Sequence, residues 1–218
     1  MFLSRRKFLN YINCTGLTAI STPLFGSIQS SDNHHLLNYF KFAVGEIKIT
    51  IVSDGGFQLP ISSIDINSSE ENLKKHLKHY HMQEDHIYMN TNLAVIEVED
   101  KKLLIDVGSG SRFIGNTGKL FDNLSKANID PESITNVFLT HAHPDHILGI
   151  RDDFDETIFP DAEFMISEKE YGWWTKKNRV NEVDETFMQM VLWAQNSLNA
   201  IPEISLFKNE KSILPGVT

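Results

Sequence analysis

Cysteine is all but missing from this sequence: Cys14 is the only one among 218 residues, and it sits near the N-terminus. A disulfide framework and a thiolate metal site are thereby excluded from the body of the chain. Any metal must be held by nitrogen and oxygen atoms. No apolar run reaches the roughly 18 residues expected of a spanning helix, which argues against a membrane-spanning body. Basic runs are missing after the first few residues, and 20 Lys+Arg against 29 Asp+Glu give a net charge of −9. That balance leaves no footprint for nucleic acid, and long-range steering would if anything favour neutral or cationic partners. Histidine is absent beyond position 146.

What is present describes a globular chain, 41% hydrophobic and 22% charged, with material for one domain. Residues 1–30 read separately, as an export signal and linker. Arg5, Arg6 and Lys7 precede a short apolar stretch, YINCTGLTAI, and then STPLFGS. A charged start followed by a short apolar region is the pattern of secretion. The segment SRRKFL resembles a twin-arginine signal, which a receptor reads as an address. It predicts a bacterial protein exported to the periplasm or cell envelope, with the twin-arginine machinery as a partner. Ala19-x-Ser21 is a weak cleavage candidate, and Cys14 lacks the small residues that precede a lipid-bearing cysteine.

From Tyr39 the pattern alternates with a period of two. Tyr39–Val44, a turn at Gly45-Glu46 and Ile47–Ile51 predict a hairpin, ended by a glycine turn at Ser53-Asp54-Gly55-Gly56. Ser68 with Glu71 predicts a capped polar helix to about Tyr80. A second hairpin follows, Leu93–Glu99 and Leu103–Gly108 around Asp100-Lys101. The grammar then changes to helix and strand in alternation. Leu120, Leu124 and Ala127 share a helical face; Asp130-Pro131-Glu132 caps a short turn; Val137–Thr140 and Ala162–Ile166 read as buried strands. Ser167 with Glu170 caps another helix, and Val183, Phe187, Val191, Ala194 and Leu198 mark a long amphipathic one. Hairpins first and β-α-β units later predict mixed sheets flanked by helices, an α/β fold.

The chemistry is concentrated in Thr140-His141-Ala142-His143-Pro144-Asp145-His146, which holds three of the nine histidines and a carboxylate. A buried strand delivers the chain into this segment, at the end of a sheet strand where α/β proteins build their sites. Alternate residues of an extended segment point the same way, so His141 and His143 can meet at one ion. Pro144 stops the extended run, and Asp145 and His146 can reach a neighbouring ion. Imidazole and carboxylate suit zinc, manganese, iron or cobalt, and no soft ligand narrows that choice. Metal ions in such a pair activate water and polarise a carbonyl or phosphoryl oxygen, which makes hydrolysis the reaction class. The bland alternative is a polar loop in which each histidine is solvated.

The segment matches the H-x-H-x-D-H signature of the metallo-β-lactamase superfamily. Ser53-Asp54-Gly55, Leu104-Ile105-Asp106-Val107-Gly108, Gly118-Lys119-Leu120, Ile129-Asp130-Pro131 and Phe159-Pro160-Asp161-Ala162 extend the match. The chain resembles that superfamily's exported methyl parathion hydrolase and N-acyl-homoserine-lactone lactonase group over residues 39–218. The resemblance implies an αββα sandwich, of which this chain holds the N-terminal part, with a dinuclear site for two Zn²⁺ or other divalent ions. It implies His141 and His143 on the first metal, Asp145 and His146 on the second, and Asp145 as the catalytic carboxylate that orients the attacking hydroxide. Asp106 and Asp54 are the implied supporting carboxylates, although a turn-capping aspartate explains Asp54 equally well. Trp173 and Trp174 are candidate walls of a substrate pocket, with core packing as the alternative. The implied substrate is a small molecule with an ester-like bond, such as a lactone or phosphotriester, and a homodimer is a possible state. The superfamily's redox branch uses a glutamate within the motif, where Ala142 and Pro144 stand here.

Three further ligands of the resembled pattern, two histidines and a bridging aspartate, have no counterpart in these 218 residues. The sequence therefore reads as the N-terminal part of a longer hydrolase or as a catalytically inactive remnant with weak or no metal binding. Ser212–Thr218 reads as the beginning of a strand. His76, His79 and His81, beside Lys74, Lys75 and Lys78, read as a solvated helix face rather than a second metal site.

Overall fold

The computed structural model describes residues 37–63, 67–154 and 156–218. The leader at 1–30, with Cys14, and the pair His34 and His35 lie outside the described residues. Seven strands form one sheet: β1 Tyr39–Val44, β2 Ile47–Pro60, β3 His86–Val98, β4 Lys101–Ile105, β5 Asn136–Leu139, β6 Glu163–Ser167 and β7 Ile204–Phe207. They lie side by side in chain order. The first four are antiparallel to their neighbours, and β4 to β7 run parallel. The change of direction follows from the connections. Gly45, at φ 61°, turns β1 into β2, whereas parallel neighbours need crossovers long enough to hold a helix. The helices are α1 Glu70–His79, α2 Leu120–Lys126, α3 Pro144–Ile147, α4 Glu168–Thr175 and α5 Glu185–Asn199.

The mixed sheet with helices bears out the expected fold class, with local corrections. The expected glycine turn at Ser53–Gly56 is a bulge: β2 continues through it to Pro60, with its register to β3 shifting between Ser53 and Gly55. Asp54 is the extra residue; Gly55 follows it at φ 97°, and a Cβ there would fall 1.9 Å from the Asn116 carbonyl oxygen. Only glycine fits so close an approach. Strand β3 begins at His86, well before Leu93, because its first half pairs with the continuation of β2 from Gly55 to Pro60. The N-cap of α1 is Ser69 rather than Ser68, its Oγ accepting from the Asn72 N–H at 3.3 Å. Val183 precedes α5, whose N-cap is Asp184. The segment Ser212–Thr218 makes an isolated bridge, Leu214 to Val217, across Gly216 at φ 76°, rather than a strand.

Strand alternation gives the sheet two apolar faces. Val52, Val95, Leu104, Val137, Leu139, Phe164 and Ile166 face one core with Leu124, Ile147, Val191, Ala194 and Leu198 from the helices. The opposite face is a smaller cluster of Leu103, Met165, Val98 and Leu214, flanked by half-buried Ile105 and Phe138. Among the described residues there is one sheet, and no helix is long and apolar enough to cross a membrane.

Candidate metal centre

Strand β5 lies between β4 and β6, so its carboxyl end emerges from the middle of the core. Pro144 occupies the first turn of α3, where its missing N–H costs nothing, and His143 is the N-cap residue in extended conformation. The extended run therefore ends one residue after the second histidine. His141 and His143 meet, with His141 Nε2 and His143 Nδ1 3.1 Å apart. The His146 ring lies 4.0 Å from that of His141, centroid to centroid, and His146 Nε2 is 3.3 Å from Asp145 Oδ2. All four residues of the H-x-H-x-D-H motif are thus brought into one cluster.

Asp106 holds this cluster from behind. It follows β4 directly, at φ 59°, in the left-handed region that costs a non-glycine residue of order 1–3 kcal/mol. Its N–H donates to the Phe138 carbonyl at 2.8 Å, and the Val107 N–H donates to the His146 carbonyl at 3.0 Å. The side chain is buried and accepts three hydrogen bonds. Asp106 Oδ1 takes the Thr140 N–H at 2.8 Å; Oδ2 takes the Thr140 hydroxyl and His146 Nδ1, each at 2.8 Å. Because the hydroxyl proton goes to Asp106, Thr140 Oγ1 must accept from His141 Nδ1, 2.9 Å away. Both Nδ1 atoms therefore carry protons, which turns Nε2 of His141 and of His146 towards the cluster.

The electrostatics follow from that packing. Burial pulls the His146 imidazole down, but its hydrogen bonds to Asp106 and Asp145 prevail and push it up to about 9. His141 moves the other way: burial, and then the neighbouring His146 and His143, hold it below its ordinary value. For Asp145, burial raises the carboxyl, and the hydrogen bond and charge of His146 outweigh it, leaving it below the usual range.

Three imidazoles and a carboxylate suit a divalent ion in kind. A tetrahedral site with metal–nitrogen bonds of about 2.0–2.1 Å sets its donors roughly 3.3 Å apart, near the separation of His141 Nε2 and His143 Nδ1. Among the described residues, however, no three donors are gathered ready around one point. They are paired with each other and with Asp106.

The remaining expected residues fall as follows. Asp54 is fully buried and accepts from the Ser109 and Leu120 N–H groups, each at 2.9 Å. It ties the bulge to the start of α2, and neither bond reaches a histidine. Gly108 permits this approach, since a Cβ there would lie 2.8 Å from the Asp54 carboxyl carbon. Trp174 is 3% exposed, with its ring edge-on to His143 at 5.6 Å. Trp173 is 37% exposed, and the Arg179 guanidinium lies 4.4 Å from its ring centroid. Two further residues join the cluster without having been singled out by the sequence. Thr140 fixes the His141 tautomer, and Glu170 reaches the backbone between the histidines.

Residues 88–182 match the family described as Metallo-beta-lactamase superfamily. Among solved structures it is similar to AidC, a dizinc quorum-quenching lactonase, at 29% identity and a TM-score of 0.74, covering 82% of this chain and 64% of that one. A hydrolase of the beta-lactamase superfamily, AbOPH, matches at 23% identity and TM-score 0.73 over the same shares. A probable metal-dependent hydrolase from Staphylococcus aureus matches at 22% and 0.63, over 80% of this chain and 64% of that one. The last two speak for the fold alone. The chain spans 64% of the length of each of these neighbours. No curated protein matches it in sequence.

Proposed function

We propose that the protein is a metal-dependent hydrolase acting on an ester-like bond of a small molecule, a lactone or a phosphotriester. The single observation that carries this reading is the cluster of His141, His143, Asp145 and His146 at the carboxyl end of β5, with Nε2 of His141 and His146 turned inward. The likeness to a dizinc lactonase at 29% identity supports zinc as the ion and a lactone as the substrate. His141 Nε2 and His143 Nδ1 would hold one divalent ion, and Asp145 and His146 Nε2 a second. When bound, such ions supply Lewis acidity, lowering the pKa of water and polarising the carbonyl or phosphoryl oxygen under attack.

The chain's own groups then have defined tasks. Asp145, kept ionised by His146, is an acceptor that can orient the attacking water and take its proton. Asp106 keeps the His146 ring fixed while that happens. Ester hydrolysis forms one bond from water oxygen to the carbonyl carbon or phosphorus and breaks the bond to the leaving oxygen, which departs with a proton. Residues 1–30 favour an exported setting, reached through the twin-arginine route, and a periplasmic fraction containing the folded protein is the expected result.

The test is turnover of an N-acyl lactone and an aryl phosphotriester by the zinc-loaded protein, with His143→Ala beside it. A loss of at least about 100-fold in the variant supports the reading, and equal turnover sinks it. Zinc bound with no turnover by either form favours the alternative of an inactive metallo-β-lactamase-fold remnant.

A further inference from the structure

Helix α4 begins with a Ser-x-x-Glu pattern, and half of the expected box is present: Ser167 Oγ accepts from the Glu170 N–H at 3.1 Å. In a reciprocal capping box the glutamate side chain returns to the N-cap N–H. Here it turns away from the N-cap instead. Glu170 Oε1 accepts from the Ala142 N–H at 3.0 Å and from Trp174 Nε1 at 2.6 Å. Ala142 is the fully buried residue between His141 and His143, and the Trp174 ring stands edge-on against His143. One oxygen thus ties the peptide between the two histidines to the indole that packs on one of them. The N–H of Ala142 has left the β5 ladder, so an acceptor at this point fixes the plane of the peptide bearing both side chains.

We propose that Glu170 is a positioning residue for the His141–His143 pair, setting the approach of the two imidazoles through the Ala142 N–H and Trp174. The inference rests on the metal-centre reading above and adds to it a group from another element, bonded to the Ala142 N–H and Trp174 Nε1 rather than to an imidazole of the motif. Its length matters more than its charge. Aspartate would be one methylene too short to reach Ala142 from α4, whereas glutamine keeps an acceptor oxygen at the same reach.

The experiment is a Co²⁺ titration of the protein, followed by visible absorption, for wild type, Glu170→Asp, Glu170→Gln, Glu170→Ala and His143→Ala. Amide exchange of Ala142 is measured in parallel on the chelator-treated forms. The expected result is a roughly 10- to 100-fold loss of Co²⁺ affinity for the aspartate and alanine variants, with glutamine within a few-fold of wild type. Ala142 exchange should be fastest in the first two, and several-fold faster than wild type in the glutamine variant. If His143→Ala loses Co²⁺ binding while Glu170→Asp and Glu170→Ala keep wild-type affinity and exchange, the positioning role is overturned and the metal centre stands. If His143→Ala binds as well as wild type, the metal centre itself fails and the inference with it. Should the aspartate and alanine variants not fold, Glu170→Gln decides. A neutral amide accepts more weakly, so several-fold faster Ala142 exchange supports the proposal, and unchanged exchange overturns it.

Discussion

Asp106 Oδ2 and His146 Nδ1 lie 2.8 Å apart, and the same carboxylate takes both the N–H and the hydroxyl of Thr140. One buried side chain therefore fixes the strand end and the last histidine of the motif together. Replacing Asp106 with alanine takes the acceptor away from the Thr140 N–H and from the half-buried His146 imidazole. A hydrogen bond to a charged group is worth about 1.5–3 kcal/mol, and a loss of that order in thermal or chemical denaturation is expected. Asp106→Asn is gentler on stability, because one amide oxygen still accepts. If its nitrogen faces His146, donor meets donor, and zinc affinity should fall about 10- to 100-fold. Wild-type affinity in Asp106→Asn would remove Asp106 from the site.

Thr140 relays that control to His141. Thr140→Ser keeps a hydroxyl that donates to Asp106 and accepts from His141 Nδ1, whereas Thr140→Val keeps the shape and loses both bonds. The valine variant should lose roughly 1–2 kcal/mol of stability and several-fold in metal affinity, and the serine variant little of either. The His141 Nδ1 proton, followed by ¹⁵N NMR of the ring, should be lost from the single tautomer in valine alone. Identical ring spectra in the two variants would contradict the tautomer argument.

The difference between what was readable and what was not follows the range of the interactions. H-x-H-x-D-H was legible because its geometry is local: strand alternation brings His141 to His143, and Pro144 ends the run. Likewise, periodicity gave the hairpins and the buried strands β5 and β6. Asp106 was placed by resemblance, but the left-handed backbone that aims it leaves no mark in composition or spacing. Glu170 was visible only as a helix cap, because the partner that claims its carboxylate lies on a separate loop. The bulge at Gly55 looked like a turn for a related reason. A glycine demanded by the approach of Asn116 cannot be told, within the strand alone, from one demanded by a change of direction.

Asp54 separates stability from chemistry. Both its oxygens serve backbone N–H groups, of Ser109 and Leu120, at a fully buried position. Asp54→Ala should cost about 2–4 kcal/mol by leaving two buried donors unpaired. Since neither bond reaches a histidine, zinc affinity of the folded variant should stay within a few-fold of wild type. A large affinity loss in a variant that still melts cooperatively would make Asp54 a supporting carboxylate of the site after all.

The three shifted groups predict how stability of the chelator-treated protein varies with pH. His146 is raised from 6.5 to about 9 in the fold, so between those values the folded chain binds more protons than the unfolded one. Its contribution is complete below pH 6.5 and is lost as pH rises through about 9. His141 is shifted below 6.5, so it penalises the fold only as pH falls below 6.5, in a window that does not overlap the first. Asp145 lies below 3.8, and its contribution is present above 3.8 and lost as pH falls through its lower folded value. Stability should therefore be greatest near pH 6.5 and decline on both sides. With His146 partly open to solvent, the alkaline decline should be on the order of 1–2 kcal/mol. Zinc reverses the alkaline trend: His146 must surrender its Nε2 proton to bind, so affinity rises towards pH 9. Urea denaturation from pH 5 to 9.5, with and without zinc, reads both limbs. A zinc-free profile flat from pH 6.5 to 9.5 would show that Asp106 and Asp145 do not hold His146 as an imidazolium.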